Sequence, residues 1–321
     1  MAVALSEAEL LGLADALADG GWHSGEDLAA RAGITRAALA KRIERLREWQ
    51  LDVETRHGLG YRLSAPLERL DQTQLRDILT PPLRVQVLTV IDSTNTQLLA
   101  ADAAHDPQVL LAEFQTGGRG RRGRAWVSPF GANLYFSLAW SFGAWPRDLS
   151  ALPLAVGVTL ARSLRATGAQ VGVKWPNDLW IAGRKLGGIL IEHRGEAGGP
   201  CRAVIGVGLN LAMTPAQAGG VDQPWIALEQ ALGRHLPRNQ LAGKIIGALH
   251  EALTQFERSG FASFAADWNQ FDLTAGKPVR VEREPPLLGI ARGIDASGAL
   301  LVEADGQRHA VHSGEVSLRL A

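Results

Sequence analysis

Gly118, Gly120 and Gly123 alternate with Arg119, Arg121, Arg122 and Arg124, directly after the apolar stretch Val109-Leu-Leu-Ala-Glu-Phe114. Farther on, Lys174-Trp-Pro-Asn-Asp178 is followed by Gly183-Arg-Lys-Leu-Gly-Gly188. Glycine lets a backbone wrap closely around a ligand. Arginine presents a fixed fork of donors that matches a carboxylate or a phosphate, and Lys185 adds a compact positive charge from a second segment. Residues of these types in two segments suit a reaction that joins a carboxylic acid to a nucleotide phosphate.

Two other readings compete for the glycine–arginine run. Such runs also form solvated loops and nucleic-acid patches. The three glycines also spell G-x-G-x-x-G after a strand, but a dinucleotide fold needs a helix next and an acidic residue about twenty positions on. Pro129 and Gly131 oppose a helix here, and no acidic residue lies between 124 and 147. The dinucleotide reading is therefore rejected. No G-x-x-x-x-G-K-[ST] loop occurs, so a nucleotide site must be built differently.

Other small polar and glycine-rich segments accompany this pair. Asp92-Ser-Thr-Asn95 stands at a strand-to-helix turn, where Ser93, Thr94 and Asn95 are expected as caps if taken alone. Gln115 precedes the glycine loop. Gly187-Gly188 and Gly206-Val-Gly-Leu-Asn210 put glycine inside strand patterns, which marks a bulge or the close approach of a ligand. Trp126 and Trp225 suit pocket walls or core. Asn177 and Asp178 suit a turn, and Asp178 also suits Mg²⁺ on a nucleotide.

These segments need a scaffold. The chain has 321 residues, net charge zero and one cysteine, Cys201, which leaves no intramolecular disulfide and no cysteine-rich zinc site. Met1-Ala-Val-Ala-Leu-Ser-Glu7 lacks a basic start and a long apolar core, so no signal peptide is expected. No apolar run is long enough to cross a bilayer, and a cytoplasmic protein with no membrane partner is expected.

Charge is segregated at the amino terminus: residues 1–30 carry six acids and no base, whereas 31–62 carry eight bases and four acids. Residues 4–18 form an amphipathic helix pattern with Leu5, Leu10, Leu13 and Leu17 as its stripe. Ser24 heads a capped helix, Gly33 turns the chain, and Thr35 caps a third helix with Leu39, Ile43 and Leu46 on one face. The opposite face carries Arg36, Ala37, Ala40 and Lys41. Residues 53–63 then suit a hairpin turning at Gly58 and Gly60 and bearing Arg56, His57 and Arg62. This is a winged helix-turn-helix pattern, which enters DNA with its second helix and also occurs as a protein-binding module. Gln50 stands after that helix where glycine caps better, with no local reason.

From 84 on, strands 84–91, 108–114, 133–140, 171–175, 186–194 and 202–211 alternate with helices beginning near 94, 150 and 238. This is an α/β (α+β) arrangement around a large sheet. After 272, five short strands at about ten-residue spacing suit a small SH3-like β-barrel. The domains expected are 1–64, 65–272 and 273–321.

Six motifs in order, Asp92–Asn95, Gln115–Arg124, Ser128–Leu134, Lys174–Asp178, Arg184–Leu190 and Gly206–Leu211, resemble the signatures of biotin–protein ligases. With the amino-terminal domain, the chain is similar to the bifunctional ligases that also repress the biotin operon. The resemblance implies two steps. The biotin carboxylate attacks the α-phosphate of MgATP to give biotinyl-5′-AMP, and a lysine of the biotin carboxyl carrier protein of acetyl-CoA carboxylase then takes the biotinyl group. It implies a biotin site of Ser93, Thr94, Asn95, Gln115, Gly118, Arg119, Gly120, Arg121 and Lys185. It implies a nucleotide site of Arg119, Arg121, Trp126, Asn177, Lys185, Asn210 and Trp225, with loop 212–224 folding over the nucleotide. Lys185 and Arg121 are the expected catalytic residues, and Asp178 the candidate Mg²⁺ ligand. Ser24, Thr35, Arg36, Ala37, Ala40, Lys41 and Arg56 are expected at operator DNA, bound by a homodimer that biotinyl-AMP, as corepressor, promotes. Three alternatives stay open: a sensor without catalysis, a lipoate- or octanoate-type acyl ligase, and a ligase whose amino-terminal domain does not repress.

Overall fold

The computed structural model describes residues 6–80, 82–196, 198–313 and 317–320. The expectations for the first five residues, Leu5 in the first helix among them, and for Val316 in the last strand lie outside these.

Three helices and a hairpin open the chain: α1 (Glu7–Ala16), α2 (Gly25–Arg31), α3 (Arg36–Glu48), β1 (Val53–Arg56) and β2 (Gly60–Leu63). Each helix begins where a hydroxyl satisfies its free amides. Ser6 forms a capping box with Glu9, Ser24 accepts from the amides of Glu26 and Asp27, and Thr35 accepts from Ala38. The expected stripes close on one another, with Leu10, Leu13, Leu17, Leu39, Ile43 and Leu46 all buried. Phe114 and Phe130 from the next domain join this same cluster. Trp49 stacks on Phe130 with ring centroids 5.1 Å apart, and the Phe130 amide donates to the Trp49 carbonyl. Gln50 adopts φ +59°, the left-handed turn that ends α3. Its carbonyl accepts from Gln217 Nε2 at 3.0 Å, a long-range contact that no local pattern contains.

A linker and α4 (Gln72–Ile78), capped by Asp71, lead into the central sheet. It contains β3 (Arg84–Ile91), β4 (Gln108–Gln115), β5 (Leu134–Phe142), β6 (Gly172–Lys174), β7 (Asp178–Ile181), β8 (Arg184–Gly195) and β9 (Cys201–Leu209). Their order is β3-β4-β5-β9-β8-β7-β6, parallel between β3 and β4 and antiparallel elsewhere. The parallel pair needs a crossover, which α5 (Thr94–Ala100) supplies. Strand alternation gives the sheet two faces. Val109 and Leu111 enter the large core shared with α6 (Leu152–Arg165) and α8 (Arg238–Ser259), whereas Leu110 and Ala112 meet Leu98 of α5. The site lies on the α5 face.

The strand β7 was not expected, because Asn177-Asp178 suits a turn; Asp178 instead opens a strand hairpinned to β8 through Ala182 and Gly183. Two short helices, α7 (Leu228–Leu232) and α9 (Ala265–Phe271), were likewise not expected. The carboxy-terminal unit is a five-stranded antiparallel sheet of β10 (Pro278–Glu282), β11 (Leu287–Ile294), β12 (Leu300–Ala304), β13 (Gln307–Val311) and β14 (Ser317–Leu320), ordered β13-β12-β11-β10-β14. It docks on the central unit through Trp175, whose indole N–H donates to the Gly298 carbonyl.

Candidate functional site

A cavity of about 1060 Å³ opens on the α5 face, lined by the first turn of α5, the glycine–arginine loop and strands β6 to β9. A second of about 200 Å³ adjoins it beneath loop 212–224. Arg124, Ala125, Trp126, Lys185, Asp222 and Gln223 line both. Together they have room for a ligand larger than a single drug-sized molecule.

The inner end of the large cavity is a hydrogen-bonded network. Ser93 is the N-cap of α5, yet its side chain makes no capping bond, so the capping role expected of it does not hold. Gln115, at the end of β4, does that work from across the sheet. Its Oε1 accepts from the Thr94 amide at 2.9 Å and from Thr94 Oγ1 at 3.2 Å, and its Nε2 donates to Ser128 Oγ at 3.1 Å. Ser137 Oγ lies 2.7 Å from Thr94 Oγ1 and 2.5 Å from Asn95 Oδ1. Ser93, Thr94 and Asn95 are all buried. A polar, buried pocket end of this kind holds a small group with its own donors and acceptors.

The floor is built from glycine. Gly206 and Gly208 of β9 and Gly188 of β8 face the cavity, with Gly208 paired to Gly188. A Cβ on Gly206 would stand 2.2 Å from Asn95 Oδ1, and one on Gly208 would stand 2.4 Å from the Trp126 ring. These strands are smooth because neighbours already occupy the space a side chain would need. Trp126 lies on this floor, and its buried Nε1 has no hydrogen-bond partner among the described residues.

The glycine–arginine loop is a hairpin over the cavity. Gly120 donates to the Arg124 carbonyl at 2.7 Å and Trp126 to the Gly118 carbonyl at 2.8 Å. No helix follows; the chain makes one tight turn, Arg121–Gly123, with Arg122 at φ +59°. Arg119 reaches Glu192 of β8 at 2.8 Å. Arg121 donates to Asn177 Oδ1 at 3.2 Å and to the Ser313 carbonyl of the carboxy-terminal unit. Burial lowers the Arg121 pKa, against the opposing pull of the Asp178 carboxylate. Asn177 Nδ2 in turn donates to the Ile189 carbonyl at 2.7 Å.

Lys185 sits where the two cavities meet. The pairing of β7 with β8 shifts between Leu179 and Trp180, so Leu186 is an extra residue in the ladder. Simple alternation would put Lys185 and Gly188 on opposite faces. The bulge turns Leu186 into the core and puts Lys185 on the cavity side with Gly188, whose Cβ would lie 3.6 Å from Lys185 Nζ. Lys185 Nζ is 2.8 Å from Asp178 Oδ1 and 5.6 Å from the Trp126 ring centroid. The backbone of Lys185 also anchors loop 212–224: its N–H donates to Pro224 and its carbonyl accepts from Ile226. Asn210 and Trp225 line the smaller cavity. Among the described residues no three His, Cys, Asp or Glu side chains are grouped to hold a metal ion.

The amino-terminal unit exposes Ser24, Thr35, Arg36, Ala37, Ala40, Lys41 and Arg56 on its surface. Its excess of bases is smaller in space than in sequence. Arg42 pairs with Glu9, Arg45 with Glu48, Arg47 with Glu44 and Arg62 with Glu54. Arg62, expected at the wing surface, also stacks on Trp22 with 4.7 Å to the ring centroid. Among the described residues Arg31, Arg36, Lys41 and Arg56 form no ion pair, so the exposed positive charge lies at the end of α2, on α3 and on the wing. The hydroxyls of Ser24 and Thr35 are engaged as helix caps.

Comparison with known proteins settles the family. The chain matches the biotin/lipoate A/B protein ligase family over residues 87–210, the biotin protein ligase C-terminal domain over 274–319 and a helix-turn-helix domain over 16–62. The bifunctional ligase/repressor BirA of Salmonella typhimurium is 44% identical over 97% of this chain and 98% of its own. The chain belongs to the bifunctional biotin ligase/repressor family. A biotin–[acetyl-CoA-carboxylase] ligase of Mycobacterium tuberculosis is 36% identical over 77% of this chain and 95% of its own. The biotin protein ligase of Aquifex aeolicus, solved in complex with biotin and ATP, superposes with TM-score 0.64 and 26% identity, covering 74% of this chain and 99% of that one.

Within this ligase/repressor fold, the structure brings Ser93, Thr94, Asn95, Gln115, Arg119, Gly120, Arg121, Trp126, Asn177, Asp178 and Lys185 to one cavity. Asn210 and Trp225 line its neighbour, and Gly118 supports Trp126 from behind the loop. Sequence reasoning missed Glu192, Ser137 and the Ser313 carbonyl. Glu192 and Ser137 occupy strand positions whose alternation alone does not reveal a polar partner across the sheet.

Proposed function

We propose that this protein is an ATP-dependent biotin–protein ligase and a biotin-responsive repressor of the biotin operon. The observation that carries the proposal is Lys185, paired with Asp178 and lining both the polar-ended cavity and its smaller neighbour, with Arg121 lining the larger of the two. In this reading, Ser93, Thr94 and Gln115 bind the ureido ring, with Asn95 beside them and Gly118–Arg121 closing over it. The valeryl chain runs along the glycine floor, and the carboxylate meets the α-phosphate at Lys185. Trp126, Asn210 and Trp225 receive the adenine.

The carboxylate oxygen attacks the α-phosphorus, the bond to the β-phosphate oxygen breaks, and pyrophosphate leaves. A lysine amine of the acceptor then attacks the acyl carbon, and AMP leaves with the bridging oxygen. Neither step asks much of a general base here. The task is to bring two anions together and offset charge that develops on phosphate oxygens. Lys185 and Arg121 supply fixed positive charge, Arg119 and Asn177 hold the loop, and Mg²⁺ enters with ATP, with Asp178 able to share it. The loop excludes water from a reactive anhydride.

The polar inner end favours biotin over lipoate, because a ureido ring has two N–H groups and a carbonyl to satisfy, whereas a dithiolane ring has none. We assign the acceptor as the biotin carboxyl carrier protein of acetyl-CoA carboxylase and the compartment as cytoplasmic; no helix among the described residues is long and apolar enough to cross a membrane. Beyond Gly188, β8 has β9 on one side and no described strand on the other, which supports a homodimer formed by sheet extension, stabilised by biotinyl-AMP. Domain limits at 64/65 and 272/273 complete the proposal.

The test is incubation with biotin, MgATP and a carrier-protein domain, followed by intact mass of the acceptor. A gain of one biotinyl group supports the ligase; no gain and no bound adenylate sinks it. Two further outcomes are expected. Gly206→Ala should weaken biotin binding about tenfold, the cost of overpacking against the held Asn95 side chain. Calorimetric titration with biotin checks this, and an unchanged affinity removes the glycine floor from the biotin site. Arg56→Ala should weaken operator binding and lower the salt slope by about one unit, as for a lost phosphate contact. Gel shifts with adenylate present over a range of salt measure it, and an unaltered slope takes the wing off the DNA.

A further inference from the structure

Glu192 does not line the cavity, yet its carboxylate touches two elements of the site. It lies on β8, where Gly188, Leu190 and Glu192 alternate toward the α5 face. One oxygen, Oε2, accepts from Arg119 Nη2 at 2.8 Å and from Asn95 Nδ2 at 2.9 Å. Arg119 belongs to the glycine–arginine loop and Asn95 to the buried first turn of α5. Among the described residues Glu192 is the one side chain hydrogen-bonded to Arg119, although the Asp92 carboxylate also feels its charge. Asn95 Nδ2 also reaches the Leu190 carbonyl at 3.2 Å, while its Oδ1 faces Ser137 Oγ.

We infer that Glu192 is a positioning residue for adenylate formation and retention, holding the glycine–arginine loop closed through Arg119 and fixing the amide of Asn95. The inference rests on the ligase reading for its functional consequence but on geometry alone for the clasp. Two attachments to described residues flank the loop where it crosses the cavity. Arg121 ties one side to Asn177 and Ser313, and Arg119 ties the other to Glu192. A loop rich in glycine pays a large ordering entropy, so its closed position depends on such attachments. Glu192 also sets the orientation of Asn95: with Nδ2 turned to the carboxylate, Oδ1 faces Ser137 and the network that continues through Thr94 to Gln115. The carboxylate thus links the lid of the cavity to its recognition end, without touching the reacting atoms.

Full-length Glu192→Gln and Glu192→Ala separate these two roles. Gln keeps the size and an acceptor for Asn95 but loses the charge that holds Arg119. Biotinyl-5′-adenylate formed in place from biotin and MgATP is expected to leave Glu192→Gln about fivefold faster than wild type, the upper range for a partly exposed ion pair. Biotin affinity should stay within about twofold, because Asn95 keeps its partner. In unliganded protein, trypsin should cut the loop arginines faster in Glu192→Gln than in wild type. Glu192→Ala should in addition weaken biotin binding by about tenfold, the cost of leaving the buried Asn95 donor poorly satisfied. Adding Glu192→Gln to Arg119→Ala should cost nothing further, since the pair is already broken. Unchanged adenylate retention, unchanged cleavage, or losses that add in full with Arg119→Ala overturns the inference. A wild type that makes no adenylate sinks the ligase reading instead, while the cleavage rates still decide the clasp.

Discussion

Lys185→Ala is expected to slow biotinyl-adenylate synthesis roughly two orders of magnitude, about 3 kcal/mol of transition-state stabilisation, the loss typical of one preorganised donor to a developing anion. The side chain is only 13% exposed, so its charge acts in a poorly screened position. It is also preorganised: Asp178 holds Nζ, the bulge at Leu186 aims the stem, and backbone bonds to Pro224 and Ile226 lock the residue in place. No other lysine lines both cavities. Single-turnover formation of adenylate, followed by pyrophosphate release, measures the effect. Biotin binding without ATP should change far less, because the charge is needed most when two anions meet. A variant with near-normal adenylate synthesis would remove Lys185 from the mechanism and move the burden to Arg121. Lys185→Arg should not rescue fully, since a planar fork cannot reproduce a point charge under the Trp126 ring.

The second large effect concerns stability. Arg238, at the start of α8, and Glu113 of β4 are each 2% exposed and pair with each other. The guanidinium also donates to the Asn133 carbonyl at 2.7 and 3.1 Å and to the Glu68 carbonyl at 3.2 Å. Glu113 Oε1 accepts from the Leu70 amide, so the same pair pins the linker from the amino-terminal unit. Removing one partner leaves a buried charge without compensation, and Arg238→Ala or Glu113→Ala is expected to destabilise the fold by about 3–5 kcal/mol. Urea unfolding followed by tryptophan fluorescence reads this directly. Replacing both with leucine and methionine should cost much less than the sum, because no unpaired charge remains. A single variant within about 0.5 kcal/mol of wild type, the range of ordinary surface substitutions, would mean water reaches the pair.

The strands other than β7, the long helix α8 and the helix-turn-helix were legible in the sequence because their signals are local. A leucine every third or fourth residue requires a helical face, and Ser24 or Thr35 ahead of such a run satisfies amides that would otherwise be left bare. Likewise, the glycines and arginines of 118–124 and the glycines of 187–188 and 206–208 announced a ligand by residue type alone. Other features escaped because they depend on neighbours distant in the chain. Asn177-Asp178 has turn composition, but pairing with β8 makes Asp178 a strand residue. Ser93 has cap composition, but Gln115 takes the amide from across the sheet.

What the sequence alone determined is the chemical inventory: the positive groups, the smooth glycine strands, the polar turn at 93–95 and the order of three structural units. Side-chain type and short-range periodicity are properties of the chain itself. Only the tertiary structure decided which groups share a space. A one-residue bulge, invisible to alternation, turns Lys185 into the cavity. The strand pairing of β8 with β9, and α5 laid across it, bring Glu192 to Asn95 and Arg119. Salt bridges folded back on α3 and the wing cancel four of the basic charges that composition counts. Gln50 takes a left-handed turn bonded to Gln217, far along the chain. The Glu192, Gln50 and Arg42–Glu9 contacts close over long stretches of chain, and the bulge depends on the register of a strand pair, so these outcomes rest on packing and register rather than on a run of residue types.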